Sequence, residues 1–446
     1  MTETFLKQFE EHFAGAGRTG SWLDRLRLSG IHSFGELGFP TTDLEDWRYT
    51  SLEAMKSVPF ELASASDAGG RIESDFVERS AFYTKEDVRL VFVNGIFSPD
   101  LSAAKGLPQG AILGSLSSAI QKNPSVIEKH LSQSAAYKNR ALVALNTAFF
   151  RDGAFLSLPA GTVVERPIFI CHLSWNEKRG RPTVSHPRNL IVMGENAKAT
   201  IVEIYMGGGD EVYFTNAVTE IVTAQGAIVD HYKLQQESGN AYHIGSIDVR
   251  QERDCRFDSL SISLGASLAR TEVNAVLAAE GATCALNGLF MVTGRQHVDN
   301  QTSIDHAKPN GTSTELYKGI LSGQSRGVFN GKIVVRPHAQ KTNARQTNKN
   351  LILSEEALMN TKPLLEIYAN DVKCNHGATI GRLDENQVFY LRSRGMAETH
   401  ARSLLTYAFA SDLVGRIQVA SFQKAMEKWI FRRLLASDLT DREALL

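Results

Sequence analysis

From about Gly153 onward, the chain consists of short β-branched runs separated by turn residues, and this pattern continues for roughly 200 residues. The turns are rich in Gly, Asn and Asp, which tolerate the backbone conformations of tight turns. The runs start roughly 30 residues apart or at multiples of that spacing, which is typical of a solenoid whose coils stack on one another. Similar small-residue motifs open several runs, at Asn196 to Thr200, Gln225 to Ile228, Glu280 to Cys284 and Asn375 to Thr379.

The pattern therefore predicts a mainly β protein whose core is a parallel β-helix. A β-sandwich or jelly roll also consists of many short strands and is the alternative. Paired hairpin turns of the Asn-Gly kind are few in this sequence, and this favours the solenoid.

Helical periodicity replaces the β pattern at both ends of the chain. Phe5, Phe9 and Phe13 recur at helical spacing, and short helices are predicted over the first 80 residues or so, followed by a strand from Val88 to Gly95. A second helical patch runs from Ile120 to Tyr137. We divide the chain into a mostly helical N-terminal region (1–150), a β-helix core (151–390) and a C-terminal helical region (391–446).

Two amphipathic helices are predicted after Gly395, because apolar residues return to a spacing of 3 to 4. The helices fit two roles, a cap packed on the last coil or a groove for a partner, and the roles are compatible. The first helix carries Ala401, Leu404, Leu405 and Ala408, and the second carries Val419, Phe422, Met426, Trp429 and Ile430.

Charge and composition exclude several classes of protein. The 48 Lys and Arg residues nearly balance 49 Asp and Glu, so no global field attracts nucleic acid or an anionic membrane. The basic stretch from Arg326 to Lys349 is interleaved with amides instead of aromatics, which favours a solvated face or a subunit interface over nucleic-acid binding. The N-terminal segment lacks the features of a signal peptide, and no run reaches 18 apolar residues, so we expect a cytoplasmic protein.

Motifs for catalysis and nucleotide binding are absent or out of context. Gly323 to Gly327 matches GxSxG, but a β-branched run follows it where a nucleophile elbow needs a helix, so a turn between coils is the better interpretation. No P-loop occurs, and Gly207 to Gly209 lacks dinucleotide-binding spacing. We expect no catalysis by this chain alone and no ATP site in it.

Two groups of residues could hold a metal. Cys171, Cys255, Cys284 and Cys374 are scattered without a CxxC pair, which fits a reducing compartment and excludes a ferredoxin-like cluster holder. Cys374 and His376 lie two apart, so in a strand they would share a face and converge on a soft metal; the alternative is an ordinary turn with a buried cysteine. His297, Asp299, Asp305 and His306 could also serve as acid/base or metal groups, although each more often is a polar residue on a coil edge.

Several longer motifs together resemble one family over nearly the whole chain, the SufB/SufD family of iron–sulfur cluster assembly scaffold proteins. Gly377, directly after His376, resembles the SufD branch, because the SufB branch tends to carry an acidic residue there. The motifs are Asp46 to Thr50, Asn146 to Phe149, Gly288 to Val292, Ser303 to His306, Tyr317 to Leu321, Val328 to Lys332, Gln340 to Asn350, Asp371 to Gly381 and Ser393 to Gly395.

The resemblance implies a right-handed parallel β-helix and a non-catalytic scaffold in a SufB-SufC-SufD complex. A SufB-like paralogue would pair with the end of the solenoid, where His376 and, less directly, Cys374 would face a nascent cluster formed with a SufB cysteine. A SufC-like ATPase would dock on the helix from Met396 to Val414, at positions that include Met396, Ala401, Leu404, Leu405 and Ala408.

The resemblance also bears on cofactors and on rival functions. It implies no cofactor tightly bound by the lone chain, a reduced flavin as an electron source in the complex, and a homodimer as one form of the isolated chain. Two alternatives remain open at this point: a SufB-like self-sufficient cluster scaffold, and a polysaccharide-acting β-solenoid enzyme.

Overall fold

Strands of the central region alternate between two facing sheets, and each strand pairs in parallel with the strand two positions earlier in the chain. The first sheet holds the even-numbered strands β8 to β20, and the second sheet holds the odd-numbered strands β9 to β21. The strands are β1 (Glu61–Leu62), β2 (Val88–Val93), β3 (Ile96–Phe97), β4 (Ile112–Ser115), β5 (Ala154–Leu158), β6 (Ile168–Ser174), β7 (Thr183–Ser185), β8 (Arg188–Met193), β9 (Lys198–Gly207), β10 (Tyr213–Thr223), β11 (Ile228–Gln236), β12 (Tyr242–Gln251), β13 (Arg256–Ser263), β14 (Leu268–Leu277), β15 (Thr283–Val292), β16 (His297–His306), β17 (Thr312–Leu321), β18 (Arg326–Val335), β19 (Asn343–Ile352), β20 (Leu358–Ile367) and β21 (Lys373–Gly381).

The structure is a computed structural model that describes residues 1–13, 20–63, 82–84, 86–175 and 181–436. Ala269, Val298 and Gly327 occupy equivalent positions in three successive coils, which gives the spacing that the sequence predicts. The prediction of a parallel β-solenoid with helices at both ends is confirmed, with about seven turns. Parallel pairing throughout the central coils excludes the β-sandwich and the jelly roll, which are antiparallel.

Helices lie before and after the solenoid in the chain. Helices around Phe5 and from Trp22 to Leu37 confirm the prediction for the first 80 residues, except where it falls on residues 14–19 and 64–81, which lie outside the described residues. The patch predicted from Ile120 to Tyr137 is α-helical only as far as His130. None of the helices in the described ranges is both long and apolar enough to cross a lipid bilayer. The helices are α1 (Thr2–Phe13), α2 (Trp22–Leu37), α3 (Glu53–Lys56), α4 (Leu116–Lys122), α5 (Pro124–His130), α6 (Ala141–Phe149), α7 (Glu385–Ser393), α8 (Glu398–Val414) and α9 (Ala420–Ala436).

Both faces of each sheet are buried over much of the solenoid, which explains why its strands carry nearly continuous apolar runs. Inward-facing residues such as Ile201, Val229 and Phe257 form the core between the sheets. Outward-facing residues of the second sheet, such as Leu234 and Ile262, pack against α8 and α9. The N-terminal helices cover the outer face of the first sheet.

The segment from Asp46 to Thr50 fastens the N-terminal region to the solenoid. The Arg270 guanidinium lies 3.8 Å from the centre of the Trp47 ring and donates to the backbone oxygen of Asp46 at 2.8 Å. Thr50 Oγ1 donates to Asp299 Oδ2 at 2.6 Å. This motif therefore has a structural role at the boundary between the two regions.

The C-terminal helices do not cap the last coil, so that interpretation of them is wrong. The apolar stripe of α9, including Phe422, Met426 and Ile430, lies along the flank of the second sheet. The physical reason is that outward-facing apolar residues recur on successive strands of this sheet and need a cover that runs across them. As a result the end of the solenoid at β20 and β21 stays open in the described part of the chain.

The GxSxG segment is a turn between β17 and β18, as the sequence indicates. Ser325 is fully buried, and its Oγ donates to the backbone oxygen of Val292 at 3.3 Å. Strand β18 begins at the next residue, Arg326, where a nucleophile elbow would begin a helix. The hydroxyl is thus buried in a hydrogen bond within the coil and is not accessible to a substrate.

Candidate functional site

The open end of the solenoid is an unpaired sheet edge that exposes apolar side chains. Strands β20 and β21 each end the strand order of their sheet, so one edge of each has no neighbouring strand among the described residues. Tyr368 and Ile380 are 63% and 51% exposed, and Leu358 and Ile367 are also exposed. Such an edge invites pairing with another chain unless something covers it. We therefore regard it as a candidate interface.

Cys374 and His376 both lie in β21, at this open end. Cys374 pairs in register with Ala344 and His376 with Gln346, and Ala344 and Gln346 are both buried inside the preceding coil. The two residues therefore share the inward face of a strand, as their spacing predicts. Cys374 is half-buried against the interior core, whereas His376 is exposed because no further coil covers it.

Partial burial raises the pKa of Cys374, so its thiol is protonated at neutral pH in the lone chain. The other cysteines are buried within the fold, and burial raises the pKa of Cys171 to about 12 and that of Cys284 further. A thiolate is the form that binds metal. Cys374 is therefore the one cysteine near a surface where a partner or metal could stabilise the thiolate.

Cys374 and His376 are too few to hold an iron–sulfur cluster, which usually takes four protein ligands. Within the ranges that the structure describes, no three His, Cys, Asp or Glu side chains come together as a metal site. A cluster at this edge would need further ligands from a chain that docks there.

The second group of candidate residues serves the fold. Asp299 forms an ion pair with Arg270, and His297 Nε2 lies 2.9 Å from Thr50 Oγ1. His306 is fully buried with Nε2 2.9 Å from Ser313 Oγ, and burial lowers its pKa to about 4. These side chains bond to neighbouring groups of the chain and do not converge on one point.

A second candidate surface is an apolar groove of about 480 Å³ between α7 and α8. Leu404 is 43% exposed, and Phe389 and Tyr390 of α7 are exposed beside it. Three of the predicted partner-binding residues line the groove. Its lining residues are Asn386, Gln387, Tyr390, Leu391, Leu404, Leu405 and Ala408.

The two other predicted docking residues lie outside this lining. Met396 is half-buried in the link before α8. Ala401 is fully buried on the side of α8 that faces the protein, so it supplies packing and no contact surface.

Sequence reasoning missed α7, which forms one wall of the groove. The signal was present, since Asp384 is a good N-cap residue and its side chain accepts from the backbone N–H of Asn386 at 2.9 Å. The apolar quartet from Val388 to Leu391 follows within one helical turn. The helix is short, however, and its apolar residues do not form a clear stripe.

The groove is fixed to the solenoid through Lys318, an outward-facing residue of β17. Lys318 Nζ donates to the backbone oxygen of Phe409 at 3.0 Å and pairs with Asp412 at 2.8 Å. The lysine is nearly buried, so solvent screens this contact less than it would screen a surface pair. Helix α8 is thus held directly against the coil that contains β17.

A larger groove, of about 770 Å³, lies between the N-terminal region and the outer face of the first sheet. Four of its charged lining residues form two pairs: Arg140 with Glu272 at 2.7 Å, and Lys332 with Glu366 at 2.8 Å. These four charges neutralise one another, so they give the groove no net attraction for an ionic ligand.

Comparison with known proteins shows similarity over nearly the full length of the chain. Residues 174–409 match the family described as "SUF system FeS cluster assembly, SufBD core domain", and residues 2–170 match the SufBD protein N-terminal region. The chain is 33% identical to an iron–sulfur cluster assembly SufBD family protein of Synechocystis sp., over 96% of this chain and 95% of the relative. It is also 33% identical to the iron–sulfur cluster assembly protein SufD of Escherichia coli, over 89% and 90% of the two chains. Identity to the iron–sulfur cluster assembly protein SufB of Bacillus subtilis is 23%, over 90% and 87%.

Proposed function

The chain belongs to the SufB/SufD family of iron–sulfur cluster assembly proteins, and we propose that it is the SufD-like subunit of a complex with a SufB-like paralogue and a SufC-like ATPase. Higher identity to SufD of Escherichia coli than to SufB of Bacillus subtilis supports the SufD-like role over a SufB-like self-sufficient scaffold. Gly377 supports the same choice. Membership of this family also counts against a polysaccharide-acting enzyme.

The open end of the solenoid is the observation that carries this proposal. A SufB-like chain would add its strands to the edges of β20 and β21 and cover the exposed Tyr368 and Ile380. His376 and Cys374 would then lie at the junction, where a cysteine of the partner completes the ligands of a nascent cluster. The cluster is cargo that the complex assembles and releases. In this role the chain supplies part of a shared site and no catalysis of its own.

The groove between α7 and α8 is the docking site that we propose for the SufC-like ATPase. Its apolar lining and the exposed Phe389 beside it fit a helix-in-groove or pocket contact with a second protein. ATP binding and hydrolysis are assigned to that partner. Movement of the ATPase would reach the solenoid through Lys318, which joins α8 to β17.

The remaining features of the proposal follow from the family role. The complex works in the cytoplasm with neither nucleic acid nor membrane as a partner, and a reduced flavin is the electron source that we propose for it. A homodimer of the isolated chain would use the same open end, because that edge stays unpaired without the paralogue.

Replacing Ile380 by lysine tests the pairing of the open end. A charged side chain on an edge strand opposes the addition of another strand, so we expect affinity for the SufB-like paralogue to fall about tenfold or more. Binding of the two purified chains is measured by isothermal titration calorimetry. The control is Val163→Lys, which places the same charge on an exposed apolar residue near the opposite end of the solenoid and should leave affinity unchanged. Equal affinity of Ile380→Lys and wild type would contradict pairing through this edge.

A further inference from the structure

A row of polar side chains runs through the interior of the solenoid towards its open end. Glu315, Gln346 and His376 occupy equivalent positions on β17, β19 and β21, one strand of the second sheet after another. Glu315 and Gln346 are buried, with 3% and 1% of their surfaces exposed. The row therefore connects a buried carboxyl group to the exposed imidazole through a single amide.

Glu315 determines which end of the Gln346 amide faces it. Gln346 Nε2 donates to Glu315 Oε2 at 2.7 Å, and a carboxylate can only accept, so the nitrogen must be the atom on that side. Burial raises the pKa of Glu315 to about 7. Above that pH the ionised carboxylate fixes the amide in this orientation, whereas the neutral carboxyl group that forms below it can also donate its O–H to the amide oxygen. Gln346 Oε1 is left buried without a hydrogen-bond partner.

The interior is shaped around this amide. Gly331 lies on the facing sheet, and a Cβ atom at that position would lie 2.1 Å from Gln346 Nε2. Any larger residue would displace the side chain of Gln346. The amide of Gln346 therefore occupies the space that the missing side chain of Gly331 leaves. This indicates that the position of the amide is important for more than filling the core.

We propose that Gln346 is a positioning residue for His376, with Oε1 accepting the N–H of the imidazole and Glu315 holding the amide in the orientation that this bond requires. Adjacent strands lie about 4.8 Å apart, so side chains paired in register on one face are within reach of each other. Glu315 and Gln346, which are paired in the same way on β17 and β19, do form a hydrogen bond. An orphaned buried oxygen is unfavourable, and the imidazole is the polar group paired with it on the next strand.

The consequence is a single imidazole tautomer. When one ring nitrogen donates its proton to Gln346, the other keeps its lone pair and can bind a metal. The inference rests on the proposed function only for what that second nitrogen binds, because the orientation of the ring is a property of this chain alone.

The test is nitrogen NMR of the full-length chain labelled with ¹⁵N at histidine, recorded at alkaline pH where imidazole is neutral. The His376 signals are identified as those lost in His376→Ala. We expect a single tautomer for His376 in wild type, and loss of that state to a mixture in Gln346→Leu, which removes the acceptor at similar volume.

The matched control is Asn348→Leu, which alters an equally buried amide two residues along the same strand. Asn348 is in register with Ala378, so its loss should leave the His376 tautomer unchanged. The inference is overturned if wild type already shows a mixture, if Gln346→Leu keeps the wild-type pattern, or if Asn348→Leu changes it as much. Because neither iron nor a partner is present, these outcomes are independent of whether the complex assembles a cluster.

Discussion

Replacing Glu220 by alanine is expected to lower the free energy of unfolding by about 3–5 kcal/mol, because it leaves the buried charge of Arg188 without its partner. Both side chains are fully buried, and Arg188 Nη2 donates to Glu220 Oε1 at 2.6 Å. Glu220 also accepts from the backbone N–H groups of Ser132, Ser134 and Ala135 at 2.7 to 3.1 Å. The carboxylate thus joins the N-terminal region to β10. Its loss would also leave these three backbone N–H groups without their acceptor.

The measurement is urea denaturation of the isolated chain followed by circular dichroism. The matched control is Glu280→Ala, which breaks a pair with Arg253 in which both side chains are about half exposed. Exposed pairs contribute about 0–1 kcal/mol, so this control should unfold nearly as wild type does. Similar losses for the two variants would show that the buried network contributes no more than a surface pair.

Replacing Leu404 by glutamate is expected to weaken binding of the SufC-like ATPase by about 30-fold or more. The leucine lines the groove between α7 and α8 and is 43% exposed in the lone chain, so a partner can bury it. Loss of a central apolar contact commonly costs about 2 kcal/mol or more in affinity, and an added charge in an apolar groove increases the cost. The variant should fold normally because the side chain is exposed to solvent before docking.

Affinity for the ATPase is measured by isothermal titration calorimetry, with both chains from the same genome. Phe431→Glu is the control, since Phe431 is 51% exposed on the neighbouring helix α9 and lies outside the groove. Wild-type affinity in Leu404→Glu, together with weakened binding in Phe431→Glu, would move the docking site from the groove to the outer face of α9.

Sequence was sufficient for the architecture because the coil repeat is visible in its turns and β-branched runs. The positions of Cys374 and His376 on one face of a strand followed from their spacing alone. By contrast, the location of α8 and α9 depends on which outward-facing strand residues are apolar. When both faces of a strand are buried, apolar residues occur at successive positions, and the sequence pattern does not show which of them face outward.

Buried charges were the other feature that the sequence did not reveal. Glu203 and Lys233 look like residues of a solvated face, yet both point into the solenoid and are buried. Thr219 Oγ1 of β10 donates to Glu203 Oε2 at 3.0 Å, and Lys233 Nζ lies 3.0 Å from His243 Nε2 of β12. These partners come from different strands, so only the register of the coils brings them together. The row from Glu315 to His376 was hidden for the same reason.

Iron and acid-labile sulfide in the co-purified complex test the central claim most directly, which is that His376 at the open end contributes to a shared cluster site. The chain is expressed with its SufB-like and SufC-like partners, and wild type is compared with His376→Ala and with His338→Ala, a control at an exposed turn residue. We predict that all three complexes form and that iron and sulfide are lost only in His376→Ala. Wild-type iron and sulfide in the His376→Ala complex would contradict the account.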